Sequence, residues 1–144
     1  MTLAARLSGL ALAGAVLLAG CSSDTGDLDA ADSPVARYNW SGGDSMEALA
    51  QGTLALRDGC LVLADATGTH AHGVLVFPRS LTAWDNKTQV LTFAGHAFRL
   101  GDAVSAGGGS PGARVGDIPA ACADQFPSAD DYFLIQDTTI ATNG

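Results

Sequence analysis

The chain is poor in positive charge. It has one lysine, Lys87, and six arginines against fifteen aspartates and glutamates, for a formal charge of −8 over 144 residues. No basic cluster offsets this, and such a surface repels polyanions, so nucleic acid and anionic lipid headgroups are excluded as ligands. Long apolar runs are also missing. The longest, Leu10 to Leu18, is roughly half of the ~20 residues needed to cross a hydrocarbon core. Cysteines are few (Cys21, Cys60 and Cys122), and none forms a Cys-x-x-Cys pair. No serine sits in a nucleophile elbow: Gly108-Gly109-Ser110-Pro111-Gly112 has a proline after the serine, and no apolar strand is expected to lead into it. The same glycine run lacks the Lys-Ser/Thr ending of a phosphate cradle. Asp130 and Asp131 are sequence neighbours, which point apart in a strand and suit a solvated loop better than paired acid and base. No internal repeat, coiled coil or long amphipathic helix is present. Catalysis is therefore not expected.

The amino terminus carries the clearest signal. Arg6 precedes the apolar run, and small residues, Ala19 and Gly20, close it. A charged start, an apolar middle and a small-residue end make an export signal rather than a membrane helix. A cysteine follows at once, and Leu18-Ala19-Gly20-Cys21 resembles the lipobox of bacterial lipoproteins. That resemblance implies lipid transfer to the Cys21 sulfur and cleavage just before it. Two acyl chains hold a protein on a bilayer where one does so only marginally. The expectation is a signal peptide over residues 1–20 and an extracytoplasmic protein lipid-anchored to the cell membrane. In a diderm envelope, Ser22 in place of an aspartate directs it to the outer membrane. Sparse lysine with abundant alanine and glycine points to a GC-rich genome.

Without residues 1–20 the chain has 124 residues, with six basic against fifteen acidic groups, a formal balance of −9 and room for one domain. Cys60 and Cys122 remain after lipidation of Cys21. Outside the cytoplasm, such a pair in a small domain forms a disulfide, which would close a loop of about 60 residues and contribute about 4 kcal/mol in the chain-entropy model. Residues 21–45 read as the lipidated cysteine and a flexible acidic tether, too poor in apolar surface to offset the entropy of ordering. Tyr38 and Trp40 interrupt it, either docking its end onto the domain or offering an aromatic contact to a ligand.

Residues 46–144 read as the folded domain. Asp44 to Leu49 is either a capped helical turn or a direct lead into the first strand. Leu54 and Leu56 alternate with Thr53, Ala55 and Arg57 at period two. Asp58-Gly59 is a hairpin turn before Cys60-Leu61-Val62-Leu63. Further strands are expected over Gly73 to Phe77, Leu81 to Trp84, Thr88 to Ala94 and Tyr132 to Ile135. Gly95 is read as a bulge or bend before Phe98 and Leu100, and Gly101-Asp102 as a tight turn before Val104. Gly107 to Gly112 is read as a loop, because glycines lose entropy inside a strand. Asp117 is read as the cap of a brief helical turn through Ala123 that presents Cys122 to Cys60. Short strands separated by Gly and Asp turns indicate an all-β domain of low helix content, a small barrel or sandwich with an OB-like barrel preferred. Asp58-Gly59-Cys60-Leu61, Phe77-Pro78 and Gly101-Asp102-x-Val104-x-x-Gly107-Gly108 together resemble a group of exported domains of GC-rich bacteria. That resemblance implies no activity.

His70-Ala71-His72 is the sharpest chemical pair. In an extended segment both imidazoles face one side and could share zinc or copper, with Asp65 or His96 as a third ligand. The bland alternative is a polar loop entering a strand. Asn86-Lys87-Thr88 has the form of a glycosylation sequon but reads as turn chemistry. Two functions remain open. One is a non-catalytic module, anchored by lipid, that binds an envelope protein, peptide or glycan without a cofactor. The other is a metal-binding lipoprotein using His70, His72 and His96.

Overall fold

A computed structural model describes residues 32–43 and 45–142. The leader, Cys21 and the tether as far as residue 31 lie outside the described residues, as does Asp44. The described part is mostly β-strand, in two sheets, with one short helix and one disulfide, as the sequence led us to expect. Ten strands occur among the described residues: β1 (Ala36–Tyr38), β2 (Ala48–Arg57), β3 (Cys60–Ala64), β4 (Ala71–Pro78), β5 (Thr82–Asp85), β6 (Val90–Phe93), β7 (His96–Arg99), β8 (Ala103–Gly109), β9 (Tyr132–Ile135) and β10 (Ala141–Thr142). The helix, α1, spans Ala120–Gln125.

Two of the hairpins follow from turn chemistry. Asp58 and Gly59 both adopt positive φ, 45° and 82°, as do Ala94 and Gly95, 47° and 83°. A two-residue turn with both central residues left-handed matches the twist of the strands it joins. Gly95 therefore makes a tight turn rather than a bulge, and Phe93 pairs directly with His96. Between β5 and β6 the Asp85 carboxylate accepts from the Lys87 and Thr88 amides. Asn86 accepts from the Trp84 indole N–H at 2.8 Å, so this segment is a self-bonded turn.

Five strands close a ring. β2, β3 and β4 form an antiparallel meander, β4 pairs in parallel with β9, and β9 runs antiparallel to β8, which pairs back onto β2. Closure needs close backbone approach on both sides of β9. A Cβ at Gly73 of β4 would lie 2.5 Å from the Asp131 carbonyl oxygen, and a Cβ at Gly108 of β8 would collide with the Leu134 carbonyl oxygen. This corrects the loop expected from Gly107: Gly107, Gly108 and Gly109 are strand, because a side chain at Gly108 would keep β9 out. The entropic cost of ordering glycine is the condition for closing the ring.

Described residues ahead of residue 46, where the folded domain was expected to start, also pack into it, Ser33 to Tyr38 being buried. β1 pairs in parallel with the end of β4, Ala36 opposite Val76. Val76 also pairs with Leu134 of β9, and Val74 pairs with both Val62 of β3 and Tyr132 of β9. A strand has two edges, so β1 and β3 share the edge of β4 opposite β9. β1 thus fills the gap where β3 leaves β4, and the Leu61 amide donates to Pro34. Tyr38 docks this segment by donating its hydroxyl to the Ile135 carbonyl at 2.6 Å, and burial pushes that phenol's pKa up. Trp40 packs partly buried against the same cluster. Of the two readings of these aromatics, docking is the one observed.

The core has two layers. Leu54, Leu61, Leu63, Leu75, Phe77, Val104, Ala106 and Ile135 point into the ring. Val62, Val74, Val76, Tyr132 and Leu134 point outward, under α1 and β1. β3 is buried at every position, which explains its unbroken apolar sequence. The Cys60–Cys122 disulfide joins the β2–β3 hairpin to α1, with Cα atoms 4.9 Å apart. The helix has Pro119 at its N-cap and no side-chain cap, so Asp117 does not cap it. Asp117 instead pairs its backbone with Arg37 and its carboxylate with Arg79.

Candidate functional site

The two ends of the ring differ. β4 leaves one end and β8 returns to it, and the intervening chain folds as the β5–β6–β7 sheet. Trp84, Leu91, Phe93 and Phe98 of that sheet join the interior cluster, all at 2% exposure or less. The Phe77 and Phe93 rings meet edge to face at 5.6 Å between centroids. This end is plugged.

The other end is open. The starts of β2, β4 and β9 and the ends of β3 and β8 gather there around a cleft of about 280 Å³. Its floor is apolar, with Ala50, Leu63, Leu75 and Phe133. Its rim is polar, with Gln51, His72, Ser110, Asp130 and Asp131. Leu49 sits on the lip and is 62% exposed, the one large hydrophobic residue so exposed among the described residues. It also borders a second hollow, with Met46, Glu47, Gly107, Gly108, Gln136 and Asp137. The 128–131 turn that supplies the acidic rim is held by a reciprocal cap, the Ser128 side chain accepting from the Asp130 amide and the Ser128 amide donating to Asp131. Below it the Tyr132 hydroxyl donates to the Phe126 carbonyl at 2.7 Å, and burial raises that phenol's pKa.

The histidines do not come together as a metal site. His70 lies in the turn before β4, largely exposed, and its Nδ1 is 3.0 Å from the Asp65 carboxylate. Asp65 also accepts from the Thr67 hydroxyl and the Thr69 amide. These contacts, the Thr67 hydrogen bond above all, hold the Asp65 carboxyl well below the usual carboxylate range. His72 faces the cleft from β4. His96 belongs to β7 in the other sheet. Among the described residues no group of three or more His, Cys, Asp and Glu side chains could hold a metal ion. The three-histidine set is corrected accordingly, because His96 lies in the sheet that plugs the ring and His70 is engaged by Asp65.

Two further sequence readings need adjustment. A strand, β8, does lead into Ser110, but loop follows it instead of the helix an elbow requires. Ser110, His72, Asp130 and Asp131 line one cleft, yet no hydrogen bond joins the serine to the histidine or the histidine to either carboxylate among the described residues.

Leu49, Phe133 and Gln51 were missed as site residues. Leu49 carried a signal in its phase: along β2 the even positions Ala50 and Leu54 face inward, and Leu49 is a large apolar residue on the outward phase. Phe133 and Gln51 become site residues only through closure of the ring. No family model, curated protein or solved structure matches the chain.

Proposed function

We propose that the protein is a bacterial lipoprotein, anchored outside the cytoplasm through Cys21, whose domain is a non-catalytic binding module for an envelope component. The lipobox-like Leu18-Ala19-Gly20-Cys21 supports the anchor. The Cys60–Cys122 disulfide fits an oxidising compartment. No helix among the described residues is long and apolar enough to cross a membrane. An OB-like barrel is favoured by the five-strand ring, in which the first three strands form a meander and the third and last run in parallel. The observation that carries the binding role is the asymmetry of that ring: an aromatic sheet fills one end, and the other holds an apolar-floored cleft with Leu49 exposed at its lip. Barrel mouths of this kind are preferred ligand sites.

The anchor is tested by fractionation. Wild-type protein is expected in the membrane pellet with a diacylated amino-terminal cysteine by mass. The Cys21→Ala variant is expected to leave the pellet. A native product that begins at Met1, or a variant that stays on the membrane, contradicts the proposal.

A further inference from the structure

The mouth is open because β3 is too short. β3 ends at Ala64, opposite Thr53, while β2 extends five residues further, back to Ala48. Among the described residues that stretch of β2 is paired on one side only, with β8, from Ala48 opposite Gly108 to Gly52 opposite Val104. The direction of the main-chain groups follows from the ladder. The Leu54 amide donates toward β8, to Asp102. N–H and C=O groups alternate sides along an antiparallel strand. Gly52, Ala50 and Ala48 therefore also bond toward β8, and the N–H and C=O of Leu49 and Gln51 point the other way, into the space β3 has vacated. The Gly107 carbonyl, opposite Leu49, agrees: it turns away from β2 and accepts from the Gln136 amide. The cleft lies along this edge, lined by Leu49, Ala50 and Gln51 on one side and by His72 and Gly73 of β4 on the other.

We propose that the mouth binds an extended, basic peptide segment of a partner protein by strand addition to the Ala48–Gly52 edge, in line with β3. This names the ligand class for the binding role proposed above and rests on it. An added strand would bond to the outward groups of Leu49 and Gln51. Its alternate side chains would fall over the apolar floor at Leu63, Leu75 and Phe133, and outward beside Leu49 and His72. Charge selects the occupant. Asp130 and Asp131 rim the cleft and Glu47 and Asp137 line the adjoining hollow, and among the described residues neither is lined by lysine or arginine. The chain's own acidic segment after Cys21 and a second copy's equally acidic edge would both be repelled. Lysine or arginine at alternate positions of a partner strand would be attracted.

The test is hydrogen–deuterium exchange of the lipidated mature protein in nonionic detergent. The probes are a blocked alternating lysine–valine pentapeptide, its glutamate–valine counterpart, an N-methylated lysine–valine version and a chito-oligosaccharide. The lysine–valine peptide is expected to slow exchange at the Leu49 and Gln51 amides at least tenfold, and the glutamate and N-methylated peptides to leave them unchanged. Asp130→Asn and Glu47→Gln are each expected to weaken the peptide about threefold, the scale of exposed charge pairs. Gln51→Pro removes an outward main-chain donor and leaves the main-chain bonds to β8 in place, losing toward β8 only the exposed 3.4 Å side-chain contact with Ser105; it is expected to abolish binding while exchange in β3 and β4 stays slow. Equal binding of the glutamate peptide, binding without protection of those two amides, or no peptide binding overturns the proposal. Protection at the mouth by the oligosaccharide alone overturns strand addition and leaves the mouth as binding site standing. Protection by no probe overturns the strand-addition proposal as well.

Discussion

One barrel has two unlike ends. At the plugged end Trp84, Leu91, Phe93 and Phe98 bury their rings and side chains against the interior. At the mouth the interior residues Leu75 and Phe133 border a cleft, and Leu49 stands in solvent. The same fold thus buries the rings of Trp84, Phe93 and Phe98 at one end and leaves apolar surface uncovered at the other. The proposed binding role assigns that uncovered apolar surface and its polar rim to a partner.

The contrast is open to mutation. Phe93→Ala is expected to cost about 3–5 kcal/mol in urea unfolding, as for a large buried ring, and Phe133→Ala, only partly buried, well under half of that. Equal losses would dissolve the distinction between the ends. Removing the disulfide with Cys60→Ala and Cys122→Ala is expected to cost about 4 kcal/mol by chain entropy, read from thermal unfolding without reductant. An unchanged midpoint would show that the staple holds nothing the core does not. Gly108→Ala forces a methyl against the Leu134 carbonyl and is expected to cost about 1–3 kcal/mol, with fast amide exchange along β9. Normal stability would mean that the ring is not closed at that point. Leu49→Ser is expected to change stability by no more than about 0.5 kcal/mol. A large loss there would make the lip part of the core.

The smallest effect concerns pH. Asp65 is held below its ordinary pKa by the Thr67 hydroxyl first, then by His70 and the Thr69 amide. A carboxyl depressed in the folded state adds stability above its unfolded pKa, about 3.9, and that stability fades as pH falls through the lower folded value. Asp65→Asn is therefore expected to lower the melting midpoint at pH 7, and the gap to wild type is expected to close as pH drops below about 3. A gap that widens in acid would contradict this.

Much of the barrel was legible in its sequence, for local reasons. Asp58-Gly59 specified a hairpin, the apolar run from Cys60 specified a short strand, and the two cysteines left after Cys21 specified a disulfide. What was not legible depends on contacts far apart in the chain. β1 is three residues long, and its place beside β4 depends on β3 running out. The glycines of β8 look like a loop until β9 is seen to need them. His96 looked like a third ligand only while its sheet was unassigned. The mouth is legible after the fact in Leu49, on the wrong phase of an alternating strand, but its floor exists only once five strands meet.

The central claim is that the mouth meets the protein's partner and the plugged end does not. A photo-crosslinking amino acid placed at Leu49, or at the exposed His96 of the plugging sheet, compares the two ends in intact cells. The account predicts discrete adducts from Leu49, competed by the lysine–valine peptide, and none from His96. Adducts from His96 alone, or equally from both, would contradict it.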